Sequence, residues 1–485
     1  MKPIVEYVKR NYLPLILLLV SAVLFLYKLD YEYFFTDEIL YSQSGYEYLA
    51  KHDYSLNLQH PFLAKYIAGI ATMINNRDVF VMRLPFALIG IASALVVYKI
   101  LEEQYGKKRG FLGGLLFVFS PYLYSSIRMV MMESPMIFFW LMFHLFFLRF
   151  LKTKDRKNAV LSGIMLGLGI GTKSNSLILY PFSLLALIIF KLMNKQIKFW
   201  DLKNYIWIPV ISFPVFGLTY TDLLLRRGVT GLTNVLRSIK DVLITRNSEG
   251  KIHVIGNKVY LKSPSWYYFY FIDKTYSLPQ KIFSGFTVFS IFYDRSFFTI
   301  YWFLFLLFNV AFAQIITLKN ERYLALIELC LVFLSVVLIN HVYNVISKLE
   351  SRLAKKILAV SLSTFLSVLV IFRFYQLSNI RPTSYNALYK YLVIKTNNFT
   401  NGDRTYILGS IRSSRWYFQD VSEDQVVSRK DFGIMSPEFP NFKYIVFDRD
   451  ELLKDPNNLL YTFIITNRNN YDLLKISNLD VYVRK

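Results

Sequence analysis

The chain has 485 residues, 54% of them hydrophobic and 18% aromatic, and a net charge of +23. A nucleic-acid binder can carry that charge, but it would not also carry many uninterrupted apolar runs near 20 residues long, the length a helix needs to cross a bilayer. Much of the positive charge sits in short segments between these runs, where it sets topology and attracts anionic lipid or phosphate.

The first run, residues 12–28, follows Lys2, Lys9 and Arg10. No small-residue cleavage site comes after it, so it reads as a span and not as a signal peptide. Further runs at 83–100, 110–125, 135–151, 159–172, 176–190 and 205–220 read as helical spans. The linkers around Lys107, Lys108 and Arg109, around Lys152, Lys154, Arg156 and Lys157, and across 191–203 are short and basic. The positive-inside rule assigns them to the cytoplasm with the N-terminus, which leaves 29–82, 126–134 and 173–175 facing outward.

Residues 221–297 form a long mixed loop, followed by spans at 297–318, 323–342 and 354–377. The polar tail, 378–485, carries β-like runs at Thr405–Leu408, Tyr444–Phe447 and Asp480–Val483. Counting these spans alone leaves the tail inside, whereas Lys348, Arg352, Lys355 and Lys356 mark the linker before the last span as internal. The stretch Ile282–Tyr293, short for a span, is the candidate for the missing crossing. The expected architecture is an all-α polytopic membrane domain over 1–377, with about 10–11 transmembrane helices and outer loops 29–82 and 221–297. A small extracytoplasmic α/β or α+β domain over 378–485 completes it.

Acidic residues at a membrane boundary are costly to desolvate and are functional candidates for that reason. Asp37 and Glu38 lie just beyond the outer end of the first span, and Glu133 lies between the third and fourth. Lys65, Arg128 and Lys173 fall on the same side. Each cation alone suits a snorkelling anchor. Together with the acids they form the set that a phosphate-bearing lipid substrate needs. Cys330 is the single cysteine and no histidine pair has metal-ligand spacing, so neither residue type builds a metal cluster.

The order of these motifs resembles the GT-C class of membrane glycosyltransferases, specifically the protein O-mannosyltransferases and the related lipid A aminoarabinose transferases. That family shows an acidic pair, then H-P-P-L-x-K, then R-L-P, then R-x-x-M-x-D. This chain offers Asp37-Glu38, His60 to Lys65, Arg83-Leu84-Pro85, and Arg128 to Glu133. Ser263-Pro264-Ser265-Trp266-Tyr267 is similar to the S-x-W-Y segment of the mannosyltransferases, whereas the late R-x-x-Y/F-x-Y-H-Y-L-P segment has only His341-Val342-Tyr343 as a counterpart. Phe62 replaces the second proline, and Glu133 replaces the usual Asp.

The resemblance implies an inverting transfer of a hexose or pentose from a polyprenyl- or dolichyl-phosphate carrier to a hydroxyl of a protein, lipid or glycan acceptor. It implies Asp37 as base, with Glu38 and Glu133 orienting the acceptor or binding a divalent metal, Mg or Mn, through Asp37 and Glu133. Lys65, Arg128 and Lys173 would hold the phosphate, His60 would support them, and Trp266 and Tyr267 would contact substrate. Nucleic acid is not an expected partner; membrane lipids are. The competing readings are a lipid-linked-sugar transporter or flippase, and an oligosaccharyltransferase-like subunit. Against the first, no internal repeat is visible; against the second, no Trp-Trp-Asp stands in the tail.

Overall fold

The computed structural model describes residues 2–31, 36–76, 78–194, 200–248, 253–255, 258–260, 263–315, 319–348 and 351–378. In the tail it describes 388–389, 391–392, 403–408, 417–418, 421, 425–429, 442–452, 459–476 and 479–485. The middle of the basic linker 191–203 therefore lies outside the described residues.

The apolar runs fold as helices because lipid offers no partner for an open backbone and a helix satisfies its own N–H and C=O groups. In chain order the membrane part comprises α1 (Lys2–Leu26), α2 (Thr36–Tyr46), α3 (Leu63–Ile74), α4 (Val79–Tyr105), α5 (Lys107–Phe119), α6 (Pro121–Arg128), α7 (Glu133–Thr153), α8 (Arg156–Thr172), α9 (Leu179–Met193), α10 (Trp200–Tyr205), α11 (Trp207–Leu218) and α12 (Thr221–Ser248). A hairpin of β1 (His253–Ile255) and β2 (Lys258–Tyr260) precedes α13 (Tyr267–Thr275), α14 (Leu278–Val288), α15 (Ser290–Tyr293), α16 (Phe297–Ile315), α17 (Leu324–Lys348) and α18 (Arg352–Ser378).

Each expected span overlaps these helices, although 110–125 is broken between α5 and α6 by a 69° bend and 205–220 runs from the end of α10 through α11. Among the described residues, six helices are long and apolar enough to cross a bilayer, or eight if each bent pair counts as one span. The sequence count of about 10–11 exceeds this for identifiable reasons. Asn11–Leu26 is a shorter apolar helix, α8 has 17 residues, and Ile282–Tyr293 is split between α14 and α15. The expected outer loops are themselves largely helical. Segment 29–82 holds α2 and α3, and 221–297 opens with the 28-residue α12, kinked at Gly228. At Tyr220 the chain bends by 86° between the α11 span and α12.

Glycines set two of the close approaches that shape the bundle. A Cβ on Gly45 would stand 1.9 Å from the Lys65 carbonyl oxygen, and one on Gly69 would stand 2.4 Å from Gly45. Helices α2 and α3 therefore cross backbone to backbone, fixing the acidic pair relative to the His60–Lys65 segment. Gly163 and Gly167 of α8 make the same kind of contact with α11, against the carbonyl oxygens of Ile208 and Ser212, and Gly171 meets the Thr219 side chain just beyond α11. Such small-residue spacing is how helices associate closely in lipid.

The tail forms a five-stranded sheet in the order β4-β3-β5-β7-β6, from β3 (Thr405–Leu408), β4 (Val426–Arg429), β5 (Tyr444–Asp448), β6 (Tyr471–Ile476) and β7 (Leu479–Arg484). β3 runs parallel to β4 and β5, and β7 is antiparallel to β5 and β6. Alternate residues of the central strands enter two separate cores, Ile407 and Val446 on one face, Leu408 and Ile445 on the other. Both faces of the sheet are thus covered, as the expected α/β or α+β class requires.

Candidate active site

The candidate residues gather where α4 and α7 begin and α6 and α8 end. Asp78 caps α4 by accepting from the N–H groups of Phe80 and Val81, which places Arg83 on the second turn of that helix. Glu133 opens α7, Arg128 closes α6, and Lys173 follows the last residue of α8. Asp37 and Glu38 lie in the first turn of α2. Successive helical residues point about 100° apart, and the two acids meet different surroundings.

Glu38 is fully buried. Its carboxylate takes a fork from Arg83, Nε to Oε1 at 2.9 Å and Nη2 to Oε2 at 2.7 Å, and also accepts the Val130 N–H at 2.8 Å. Arg83 donates in addition to the Leu29 carbonyl at 2.9 Å. The pair ties α2, α4, the end of α1 and the 129–132 turn together, so Glu38 is a buried strut and not an acceptor-orienting group. The Arg-Leu-Pro motif earns its place as that strut's other half.

Asp37 is 41% exposed and pairs with Arg322, a residue the sequence reading did not single out. Arg322 lies in the short turn Glu321–Tyr323 that precedes α17, and the Asn320 side chain caps this turn by accepting the Arg322 N–H at 3.0 Å. The Arg322 Nη1 also lies 3.2 Å from the Met131 sulfur, and its guanidinium hydrogen-bonds the buried Tyr41 hydroxyl. Alongside, Glu133 pairs with Lys173 at 2.7 Å, and the Lys173 ammonium sits 5.4 Å from the centre of the Tyr323 ring. Asp37 and Glu133 both act electrostatically on Tyr41 and on Arg322. The result is a quartet of two acids and two cations around one tyrosine.

Two expected phosphate ligands are occupied elsewhere. The Lys65 ammonium is fully buried and donates to the carbonyls of Asn57 and His60, the latter at 2.7 Å, and to the Tyr48 hydroxyl at 3.3 Å. It fastens the 57–60 turn onto α3, and burial pulls its pKa well down. Arg128 donates to the Tyr124 hydroxyl and to the carbonyls of Tyr27, at 2.6 Å, and Lys28, at 2.8 Å. It holds the end of α1. Both side chains satisfy backbone acceptors that would otherwise be stranded at a membrane boundary.

His60 packs edge-on against the Tyr41 ring, 6.1 Å between centres. Burial first, then the positive charges of Lys65 and Lys173, lower its pKa to about 3. The imidazole is neutral at physiological pH. Below about pH 6.5 an unfolded His60 takes up a proton that the folded one refuses, so folding stability falls as pH drops from there toward 3. Melting of the purified protein between pH 7 and 5 should show this loss, and His60→Gln should flatten it; an unchanged slope would contradict the buried neutral histidine.

Tyr267 is buried, and its hydroxyl accepts from the backbone N–H of Glu321, so it buttresses the turn that carries Arg322. Trp266 caps α13 with its ring 41% exposed and edge-on to Tyr260. His341 stacks on Tyr293, and Tyr343 lies under Arg109 at the start of α5. The late-motif counterpart is therefore at the opposite end of α17 from Arg322. From the tail, Tyr417 packs both on the sheet's core and on the apolar floor formed by Ile39, Tyr41, Met82 and Met131.

Among the described residues, no group of three or more His, Cys, Asp or Glu is placed to hold a metal. Asp37 and Glu133 each already face a cation. Two carboxylates, each turned to a cation, do not fit the divalent ion that the resemblance allows.

Residues 59–216 match the family model of the dolichyl-phosphate-mannose-protein mannosyltransferases. That stretch holds His60, Lys65, Arg83, Arg128, Glu133 and Lys173, but neither Asp37 nor Arg322. Among curated proteins none matches the chain in sequence. Among solved structures, ArnT from Cupriavidus metallidurans bound to undecaprenyl phosphate aligns over 97% of this chain and 98% of its own, at 13% identity and a TM-score of 0.62. The Archaeoglobus fulgidus oligosaccharyltransferase in complex with Zn and sulfate aligns over 97% of this chain and 73% of its own, at 14% identity and a TM-score of 0.55. At such identities the likeness is one of fold, and the fold is that of the GT-C class of membrane glycosyltransferases. The family match adds a likeness to the protein mannosyltransferases over residues 59–216 alone.

Proposed function

We propose that the chain is an inverting glycosyltransferase that moves a hexose or pentose from a polyprenyl-phosphate carrier to an acceptor hydroxyl on the extracytoplasmic face. The observation that carries this reading is the quartet itself: the open carboxylate of Asp37 on Arg322, with the Glu133–Lys173 pair alongside, at one end of the bundle. The ArnT structure with undecaprenyl phosphate and the family model named for dolichyl-phosphate-mannose support a lipid-linked donor.

A phosphate is a good leaving group, so one base suffices. Asp37 takes the proton of the acceptor hydroxyl as that oxygen bonds to the anomeric carbon. The bond from that carbon to the phosphate oxygen breaks, and the electron pair leaves with the polyprenyl phosphate. Arg322 and Lys173 neutralise the charge growing there. Arg322 has a double part in this scheme. In the free enzyme it occupies Asp37; a donor phosphate competes for the guanidinium and leaves the carboxylate available as base. Glu133 holds Lys173 in place, neutral His60 lines the site without adding charge, and the exposed Trp266 ring offers a surface to the acceptor.

The test is transfer from labelled polyprenyl-phosphate sugars by purified protein, with protein, lipid and glycan acceptors offered in parallel. Loss of a charge-assisted contact to phosphate should raise the donor KM of Arg322→Gln by roughly tenfold or more. Absence of transfer from any lipid-linked donor would overturn the reading, and an unchanged donor KM would remove Arg322 from the phosphate.

A further inference from the structure

Helix α17 carries an acid within its first two turns. Glu328 is buried, 2% exposed, among Leu326, Leu329 and Cys330. A carboxylate inside an apolar span is costly and has to be matched by donors. The structure supplies three. Oε2 accepts the backbone N–H groups of Tyr122 at 2.8 Å and Leu123 at 2.9 Å, and Oε1 accepts the Tyr276 hydroxyl at 2.5 Å.

The two N–H groups belong to the start of α6, where the chain turns by 69° out of α5. Pro121 opens α6 and has no N–H to satisfy. Ser120, in the capping position, spends its hydroxyl on the Leu116 carbonyl at 2.8 Å. The start of α6 is thus capped from another helix. Tyr276 adds the junction between α13 and α14 to this tie, and beside it the hydroxyls of Tyr122 and Thr275 meet at 2.9 Å.

Both helices that Glu328 joins lead to the quartet. Arg322 stands six residues before Glu328, about 10 Å along the axis at 1.5–2 Å per residue. Helix α6 runs on into the 129–132 turn, which presents the Met131 sulfur to Arg322 and the Val130 N–H to Glu38. Sliding α6 against α17 would therefore move Arg322 relative to Met131 and Asp37. We infer that Glu328 is a positioning residue for the transfer: by capping α6 from α17 it fixes Arg322 where a donor phosphate meets it. This role rests on Arg322 as the phosphate ligand proposed above, and no proton moves to or from Glu328.

Binding of undecaprenyl phosphate to the full-length protein in nanodiscs tests the role, with melting temperature measured alongside. Glu328→Leu keeps the bulk and removes every acceptor, and its Kd should weaken about tenfold, as for Arg322→Gln. In the Arg322→Gln background the same substitution should add nothing, because the group it positions has gone. Glu328→Gln should bind as wild type does, since its amide oxygen accepts both N–H groups and its NH2 donates to the Tyr276 oxygen. Tyr276→Phe leaves the cap of α6 in place, so folding is not at issue, and should weaken binding about threefold. Unchanged Kd in Glu328→Leu or in Tyr276→Phe, whatever happens to melting, overturns the role. So does an equal loss with and without Arg322, or a Glu328→Gln as weak as Glu328→Leu, which would give the charge itself the function. Failure of wild type to bind undecaprenyl phosphate overturns Arg322 as the phosphate ligand and the role of Glu328 with it.

Discussion

Asp37→Asn is expected to leave the protein folded and inserted while transfer from a polyprenyl-phosphate donor falls about 10²- to 10⁴-fold, the usual cost of losing a general base. The substitution keeps the shape of the side chain and removes only its charge and basicity. Asp37 is 41% exposed and Arg322 23% exposed, and a pair this open contributes about 1 kcal/mol or less to stability. Melting temperature should therefore barely move. The donor KM should not rise and should fall if anything, because Arg322 and Lys173 both remain and the donor phosphate no longer competes with a carboxylate for the guanidinium. The loss should appear in kcat, which separates a base from a binding group. Single-turnover transfer at saturating donor is the measurement, with melting as its control. Wild-type turnover in Asp37→Asn would remove this carboxylate from the reaction.

The contrast between neighbouring acids also marks the limit of what the sequence makes legible. Hydropathy located the spans, because a run of apolar residues is read the same way by lipid and by eye. Motif order pointed to one end of the bundle, where Asp37, Glu133 and Lys173 stand near one another. What a linear pattern cannot carry is direction. Asp37 and Glu38 are adjacent in sequence, yet one opens outward and the other closes on Arg83, because the helix turns them apart. Lys65 and Arg128 stand at the expected positions, but their long arms reach back to carbonyls of the 57–60 turn and of the end of α1. Arg322 comes from 285 residues beyond its partner, where its only local signal is the charged cluster Lys319, Glu321 and Arg322 opening a span. That signal reads as a boundary anchor until the fold brings it to Asp37. Segments 29–82 and 221–297 read as loops because their helices are short or partly polar, and α2 and α3 are held by a glycine crossing that no periodicity announces.

Breaking the strut should have the opposite signature to losing the base. Glu38→Ala would leave the Arg83 guanidinium buried without its carboxylate and take away the acceptor of the Val130 N–H. Removing one partner of a buried pair typically costs about 3–5 kcal/mol, because the remaining charge is stranded in a low-dielectric interior. The same change should loosen the start of α2 and the 129–132 turn, and with them both Asp37 and the Met131 contact of Arg322. The expected outcome is a large drop in melting temperature and in the amount of protein recovered in the membrane, with activity lost in proportion to folded protein. Replacing both partners, Glu38→Leu with Arg83→Met, removes the stranded charge and should recover a substantial part of the stability. A melt of Glu38→Ala within a degree of wild type would mean that the fork carries little, and that the acidic pair owes its geometry to the α2–α3 crossing instead.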